Sequence, residues 1–351
     1  MDNVTHALAG ALIARATAPG ERGPESLPLR RRVLIGALAA GLPDLDILAS
    51  YLSPLSYLYH HRGITHSLLL LPVWSLLVAA VFAVLWRGRP GWRAYIGVVA
   101  WTLGSHIVLD VITSFGTMVF APLSDVRVAL SATFIIDLWF SGLILVALAA
   151  SWLWRPSRVP ALAGLAAMIA YVGLQVGLQH RAVEFGEDYA RAQGLQHAAV
   201  SALPRPVSPF NWTVMIAEDA RYRYAHVNLV RKRVRPEPHP GSGFIERLDA
   251  AYRSLADATW IEVDRYGDTV TAAFARDAYA QPAFGFFRWF AAYPVLSNVA
   301  AAGGERCAWF QDLRFVNPGR GETPFLYGMC RDESGAWKPF QRVGENRKPV
   351  Y

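Results

Sequence analysis

The sequence has very little lysine, and the distribution of that lysine divides the chain. Only three lysines occur among the 351 residues, and all of them (Lys232, Lys338 and Lys348) lie after residue 180. Residues 1–179 carry only eight acids, while 53% of the whole chain is hydrophobic and its mean hydropathy is +0.23. So few charges exclude an ordinary water-soluble domain for the first half. The composition predicts a membrane-embedded domain over 1–180 and a soluble domain over 181–351.

Several catalytic signatures are also absent. The sequence contains no His-Glu-x-x-His, no Gly-x-Ser-x-Gly and no glycine-rich phosphate loop, which excludes the usual motifs of intramembrane metalloproteases, serine hydrolases and nucleotide-binding proteins. The net charge of +7 does not arise from a basic stripe with interleaved aromatics, so no nucleic-acid binding is expected. No basic region precedes the first apolar stretch, which argues against a cleaved signal peptide.

Long apolar runs dominate the first half. A helix that crosses a bilayer needs about 20 mostly apolar residues, and five runs approach or exceed that length: 33–52, 68–86, 95–119, 133–154 and 159–179. A sixth run, 4–18, is short, and it could span thinly, lie at the interface or re-enter. The predicted fold is a multi-pass α-helical membrane bundle of five to six hydrophobic helices.

The second half is predicted to be a soluble α+β domain. Stretches rich in aromatic and β-branched residues alternate with turn signals such as YGD and NPG, and 243–257 has the apolar spacing of a helix. The only two cysteines, Cys307 and Cys330, lie in this half. They would form a disulfide worth about 3 kcal/mol in an oxidising compartment, or remain as two buried thiols.

Arginine clusters predict the orientation in the membrane. Alternating loops place Arg30, Arg31, Arg32, Arg87, Arg89, Arg93, Arg155 and Arg158 on one side. By the positive-inside rule that side is cytoplasmic. The loops 53–67 and 120–132 and everything after 180 then face outward. The expected location is a bacterial inner membrane, with the C-terminal domain in the periplasm.

Ionisable residues inside or beside the apolar runs indicate a metal site. His106 and Asp110 are four residues apart, so they share one face of a helix, and Thr113 extends that face. A carboxylate inside a membrane helix costs about 3 kcal/mol unless it is paired or bound to a metal. The other ionisable residues in question are Asp2, His6, Asp44, Asp46, His60, His61, His66 and Asp137.

The predicted topology brings four of these separate stretches to the outer face of the membrane. Imidazole and carboxylate together suit zinc and its first-row neighbours, so one or two divalent ions, with zinc favoured, are expected. Two ions that share a carboxylate can polarise a phosphoryl oxygen. Asp44 or Asp46 would bind metal or serve as the general base. Arg62 would hold a phosphate or carboxylate, or else anchor its loop at the interface.

Four motifs in order, MDNVTHALAG, GLPDLD, HRGITHS and SHIVLDVITSFGT, resemble the YdjM-like family of membrane-bound metal-dependent hydrolases. The resemblance covers about residues 1–180. A more distant likeness is to the zinc-dependent phospholipase C and nuclease superfamily. That likeness implies one metal held by Asp44 or Asp46 with His66, His106 and Asp110. It also implies a second metal held by His6 and Asp110, with Asp2 as a further ligand.

These patterns predict a membrane-bound metal-dependent hydrolase that acts on phosphoester or lipid-linked substrates through a metal-activated water. Its expected partners are membrane lipids and that substrate; the sequence does not specify an oligomeric state. The predicted catalytic residues are Asp44, Asp46, His60 and Arg62, and the residues predicted to support the ligands are His61, Thr113 and Asp137. The alternatives are a metal or proton transporter built on the same residues, and a non-enzymatic protein whose metal only locks the helices.

Overall fold

The computed structural model describes residues 1–19, 26–86, 90–233, 235–236, 238–239, 241–321 and 323–351. It contains two compact units. The first unit comprises Met1–Ala49 and Tyr59–Gly177, and the second comprises Ser50–Leu58 and Leu178–Tyr351.

The apolar runs form the helices of the first half of the chain. They are α1 (Asn3–Ala16), α2 (Leu29–Gly41), α3 (Pro54–His60), α4 (Leu71–Leu85), α5 (Arg93–Val111), α6 (Leu138–Leu153) and α7 (Val159–Ala192). Two 3-10 stretches, Pro43–Tyr51 and Ile64–His66, lie at the polar motifs GLPDLD and HRGITHS. Regular α-helix ends before the first of them because Pro43 has no backbone N–H to donate. Both polar motifs therefore lie on short irregular turns between helices.

Three segments of the described chain are long and apolar enough to cross a membrane: Leu29–Tyr51, Arg93–Val111 and Val159–Ala192. The pair Pro54–His66 and Leu71–Leu85, bent by 83°, would add a fourth. Helix α6 is apolar but shorter, and α1 has 14 residues. Apolar helices of membrane length are thus confirmed, whereas the predicted number of five to six is not.

Two predicted helices end elsewhere than the apolar pattern indicates. The run 95–119 is not one helix, because α5 ends at Val111 and the following loop returns to bind its last carbonyls. Leu130 N donates to Val111 O at 2.7 Å, and Thr133 N donates to Ile112 O at 3.0 Å. Helix α7 continues beyond 179 to Ala192, since helix propensity does not require apolar residues. The division between the two units falls inside this helix.

Glycines allow α1 and α2 to pack closely. A Cβ atom at Gly10 would lie 2.3 Å from the carbonyl oxygen of Gly36, and a Cβ atom at Gly36 would lie 2.5 Å from that of Gly10. Small residues at such crossings let helix backbones approach one another in membranes. Ile35 of α2 joins Tyr95 of α5 in one core cluster. This packing brings the end of α2, and with it GLPDLD, beside α5.

The second unit is built on two antiparallel sheets. The first has the order β1 (Ala199–Pro204), β2 (Asn211–Glu218), β3 (Arg221–Asn228), β4 (Trp260–Asp264). The second has the order β5 (Pro294–Ala302), β6 (Glu305–Asp312), β7 (Leu326–Arg331), β8 (Trp337–Val343), β9 (Asn346–Pro349). The helices between the strands are α8 (Phe244–Ala250), α9 (Ala272–Ala280) and α10 (Gly285–Phe290). The predicted C-terminal β-sheet domain is confirmed, while the helix expected over 243–257 is limited to α8.

The two cysteines are joined by a disulfide inside the second sheet. Cys307 of β6 and Cys330 of β7 are direct partners in the register of the two strands. Both are buried, and Trp309 packs in the same cluster. Of the two states that the sequence leaves open, the structure contains the disulfide.

Candidate metal centre

Four side chains of the first unit meet in its interior. His66 and His106 face each other with their Nε2 atoms 2.9 Å apart. Asp110 Oδ2 lies 3.1 Å from His66 Nε2 and 3.4 Å from His106 Nε2. Asp44 Oδ1 lies 3.5 Å and 3.6 Å from the same two nitrogens. One ligand atom of each residue lies within 4.8 Å of all the others, and all four residues are buried.

Three parts of the chain supply these four ligands. His106 and Asp110 lie one helical turn apart on α5 and project from the same face, as their spacing predicts. Asp44 lies in the 3-10 stretch after α2, and His66 ends the short turn Ile64–His66. The group therefore depends on the packing of α2 and of the HRGITHS turn against α5.

Hydrogen bonds orient both imidazoles with Nε2 toward the group. His106 Nδ1 donates to the carbonyl oxygen of Ala40 at 2.6 Å. His66 Nδ1 lies 2.9 Å from Thr65 Oγ1 and 3.3 Å from Asp46 Oδ2. Histidines that bind metal are commonly held in this way through the ring nitrogen that does not face the ion.

Arg62 lies against Asp110 in the interior. Its Nη2 is 2.8 Å from Asp110 Oδ1, and its Nη1 donates to Thr113 Oγ1 at 2.9 Å. Thr113 in turn donates to the Asp110 carbonyl at 2.8 Å. Arg62 is 1% exposed and has a φ of +57°, a conformation that costs a non-glycine residue about 1–3 kcal/mol. The structure thus holds Arg62 in a strained conformation with its guanidinium bound to protein groups.

His6 joins the site through Asp110 rather than through the four-ligand group. Its Nε2 lies 3.2 Å from Asp110 Oδ1, and its ring stacks on His106 with the centroids 3.7 Å apart. The amino group of Met1 pairs with the same Asp110 oxygen. His6 is buried, and its Nδ1 has no hydrogen-bond partner within the described ranges.

The four-ligand group fits a divalent cation. Arg62 compensates Asp110, whereas no arginine or lysine in the described part of the chain pairs with the buried Asp44. Oδ2 of Asp44 and Oδ2 of Asp110 are buried without a hydrogen bond. A buried carboxylate without compensation costs several kcal/mol. Two imidazole nitrogens and two carboxylate oxygens form a donor set that zinc and its neighbours accept.

Two predicted site residues have a different role in the structure. Asp2, expected among the metal ligands, is the N-cap of α1, where its carboxylate accepts hydrogen bonds from Val4 N and Thr5 N. Asp137, expected beside the ligands, caps α6 and accepts a hydrogen bond from the Tyr171 hydroxyl at 2.7 Å. A short carboxylate before a helix satisfies its free N–H groups, and this accounts for both positions.

His60 and His61, which are neighbours in the sequence, differ in their surroundings. His60 is exposed at the last residue of α3, so its predicted role toward substrate stays a prediction. His61 instead pairs through Nδ1 with Asp46 Oδ1 at 2.7 Å. His61 is thus linked to the ligand His66 through Asp46, because it pairs with Asp46 and Asp46 contacts His66.

Sequence reasoning missed two groups that orient the ligands. The role of Thr65 could have been predicted, because this residue directly precedes His66 in HRGITHS and has a hydroxyl that can hydrogen-bond to the imidazole. The Ala40 carbonyl could not, because a backbone acceptor leaves no residue signature. Its role follows only from the packing of α2 against α5.

Comparisons with known proteins agree with the motifs of the first half. A family model described as YdjM inner membrane protein matches residues 1–182. The uncharacterized protein YfhP of Bacillus subtilis (strain 168) is 28% identical over 178 residues, which are 49% of this chain and 52% of that relative. The match therefore spans about half the length of the curated relative. No solved structure matches this chain.

Proposed function

Because the chain belongs to the YdjM inner membrane protein family, we propose that it is a membrane-embedded hydrolase that depends on a divalent metal ion. The observation that carries the proposal is the buried group of Asp44, His66, His106 and Asp110, whose ligand atoms lie within 4.8 Å of one another. A metal ion such as zinc, when bound, would act as a Lewis acid that activates water and polarises the substrate oxygen.

The residues of the chain would prepare this site for the ion. The Ala40 carbonyl and Asp46 keep the two imidazoles turned toward it. Arg62 holds Asp110 in place and offsets its charge. Because its Nη atoms are bound to Asp110 and Thr113, we assign Arg62 to positioning Asp110 rather than to gripping substrate. Both oxygens of Asp46 contact groups of the HRGITHS turn, so we assign Asp46 to holding the histidines of that turn, and its role as general base stays a prediction.

We propose a phosphoester in a lipid or lipid-linked molecule as the substrate. Large apolar side chains close to the ligands in sequence are exposed: Leu45 and Leu48 after Asp44, and Ile64 before His66. Exposed apolar residues around a polar site suit a substrate that has both a polar and an apolar part. The ion would bind the polar part, and the flanking residues would contact the apolar part.

We propose that the ligand end of the helices faces the periplasm. Arg32 Nε donates to the Ala14 carbonyl at 2.9 Å, and Arg15 Nη2 donates to the carbonyls of Arg155 and Ser157. The end of α1, the start of α2 and the turn between α6 and α7 therefore meet at one arginine-rich end. By the positive-inside rule this end is cytoplasmic. Arg87 and Arg89, which belong to the same prediction, lie outside the described residues.

The orientation is tested by labelling whole cells with a membrane-impermeant maleimide. Glu345 is exposed in the turn between β8 and β9, so Glu345→Cys offers a reactive thiol there. Labelling after the outer membrane is made permeable supports a periplasmic C-terminal unit. Labelling only after the inner membrane is lysed contradicts it.

The hydrolase proposal is tested by metal analysis and by activity on phospholipid and polyprenyl-phosphate vesicles. Wild-type protein should bind metal, lose hydrolysis when the metal is chelated and regain it when zinc or manganese is returned. His106→Ala and Asp110→Ala should bind less metal and lose activity, whereas His197→Ala, at an exposed turn of the second unit, should keep its metal and its activity. Unchanged metal content in both ligand variants would refute the metal centre. Metal binding with cation flux across vesicles, but no hydrolysis, would favour the transporter.

A further inference from the structure

A second group of possible ligands lies beside the first. One ligand atom each of Asp44, Asp46 and His61 lies within 4.8 Å of the other two. Asp44 belongs to both groups. This trio differs from the second metal that the phospholipase C likeness implies, because it contains neither His6 nor Asp110. The described structure thus offers a second group of ligands that shares only Asp44 with the first.

The two oxygens of Asp44 have different surroundings. Oδ1 lies 3.5 Å from His66 Nε2 and 3.6 Å from His106 Nε2, so this oxygen belongs to the first group. Oδ2 makes no hydrogen bond, although Asp44 is only 7% exposed. A buried carboxylate oxygen without a partner is costly. A carboxylate can bridge two cations with one oxygen on each, and Asp44 has one oxygen in the first group and one without a hydrogen bond.

Asp46 is held so that one of its oxygens remains for His61. Its Oδ2 accepts hydrogen bonds from Arg62 N at 2.9 Å and from Thr65 Oγ1 at 3.0 Å. Its Oδ1 lies 2.7 Å from His61 Nδ1. The hydrogen bonds to Oδ2 fix the carboxylate on the HRGITHS turn. They leave Oδ1 beside His61 Nδ1, so that one oxygen and one nitrogen lie next to each other.

The second group is more accessible than the first. The side chain of His61 is 12% exposed and that of Asp46 is 6% exposed, whereas His66, His106 and Asp110 are fully buried. The Phe115 ring stands edge-on to His61 with the centroids 5.2 Å apart, which limits the rotation of the imidazole. An ion in this group would therefore exchange faster than an ion in the first group.

We propose that Asp44, Asp46 and His61 bind a second divalent cation, with Asp44 shared between the two sites. The inference rests on the metal centre of the proposed function and deepens it. Paired cations that share a carboxylate suit phosphoester substrates, because together they bind the attacking and the leaving oxygen. The pairing thus supports the phosphoester substrate of the proposed function. His61, rather than His6, becomes the histidine of the second site.

The test uses Mn²⁺ alone as the probe and needs no substrate. Full-length protein is purified in detergent, stripped with chelator and equilibrated with Mn²⁺. Bound metal is then counted by mass spectrometry, and the electron paramagnetic resonance spectrum is recorded. Wild-type protein should bind two Mn²⁺ per chain and show the exchange-coupled spectrum of two ions joined by a bridging ligand.

His61→Ala should bind one Mn²⁺ with an uncoupled spectrum, while the neighbouring exposed His60→Ala should keep two. Two ions retained by His61→Ala, or a single uncoupled ion in wild-type protein, would overturn the second site and leave the proposed function intact. No bound metal in wild-type protein would overturn both. Where His61→Ala does not fold, an uncoupled wild-type spectrum still overturns the second site. His6→Ala should keep the coupled pair, and its loss there would assign the second ion to His6 and Asp110 instead.

Discussion

The Nε2 atoms of His66 and His106 face each other at 2.9 Å in a buried group of carboxylates. His106 donates through Nδ1 to the Ala40 carbonyl, so in its neutral form Nε2 is an acceptor. Without a cation, a proton on one of the two Nε2 atoms must therefore separate the opposed lone pairs. His66 and His106 would hold a divalent cation in place of that proton, which would link metal binding to the stability of the fold.

Removal of the metal should lower the melting temperature of the protein. A ligand that binds only the folded state stabilises it by about 4 kcal/mol when its free concentration is 1,000 times Kd. We expect chelation to lower the melting temperature by about 8–16 °C at that saturation, since each kcal/mol corresponds to about 2–4 °C for a unit of this size. Scanning fluorimetry in detergent, with chelator and after return of zinc, measures the shift. His106→Gln should show a clearly smaller shift, and a shift equal to that of wild-type protein would mean that the stabilising metal binds elsewhere.

Loss of the Thr65 hydroxyl should weaken the first metal site without removing a ligand. Thr65 Oγ1 donates to Asp46 Oδ2 at 3.0 Å and lies 2.9 Å from His66 Nδ1. Groups that orient a metal-binding histidine typically contribute 10- to 100-fold to affinity. Thr65→Val keeps the shape of the side chain and should raise Kd for zinc about 10-fold in competition with a chromogenic chelator.

Thr65→Ser provides the matched control for this variant. It retains the hydroxyl and should bind zinc with the affinity of wild-type protein. Equal affinities in the valine and serine variants would show that Thr65 does not hold His66 in its metal-binding orientation.

The first ligand group is largely predictable from the sequence. His106 and Asp110 lie four residues apart in an apolar run, and the regular geometry of α5 converts that spacing into a shared face. Asp44 and His66 follow from the cost of an isolated charge in an apolar segment, which requires a partner. The choice of Asp44 rather than Asp46 for this group is not visible in the sequence. It depends on how the 3-10 stretch after Pro43 directs the two carboxylates.

Helix ends account for most of what the sequence did not indicate. Asp2 and Asp137 are of a residue type that binds metals, but their positions before α1 and α6 make them N-caps. Hydropathy likewise does not record that α5 ends at Val111, because the loop that returns to bind its carbonyls is itself apolar. Long-range hydrogen bonds, rather than local composition, determine these positions.

Acid should destabilise the C-terminal unit through His226. Burial, with the nearby Arg205 guanidinium, lowers the pKa of His226 from 6.5 to about 3. Its Nδ1 lies 2.8 Å from Thr213 Oγ1. Below pH 6.5 the unfolded chain binds a proton on this imidazole, whereas the folded chain does not until about pH 3. Stability is therefore fully present above pH 6.5 and falls as the pH drops toward 3. Because part of the side chain is exposed, the loss is smaller than the full shift implies.

Oxidation of Met215 by peroxide in urea measures this effect inside the C-terminal unit. Met215 lies on β2 and is fully buried, so it is oxidised only when this sheet opens. The urea midpoint should be lower at pH 5 than at pH 7.5, both in wild-type protein and in the exposed-site control His197→Gln. It should change less in His226→Gln. Equal midpoints for wild-type protein at the two pH values would contradict the role of His226.

Replacement of Arg62 should make the fold depend on the metal. Arg62 is the one arginine or lysine that pairs with Asp110 in the described structure, and removal of one partner from a buried ion pair costs about 3–5 kcal/mol. A bound cation compensates the same carboxylate, so it should recover part of that loss. We therefore expect Arg62→Leu to melt well below wild-type protein after chelation and much closer to it with saturating zinc. Arg93→Leu, at an exposed arginine of α5, should melt like wild-type protein in both conditions. An Arg62 variant with the same deficit with and without zinc would show that the cation does not compensate Asp110.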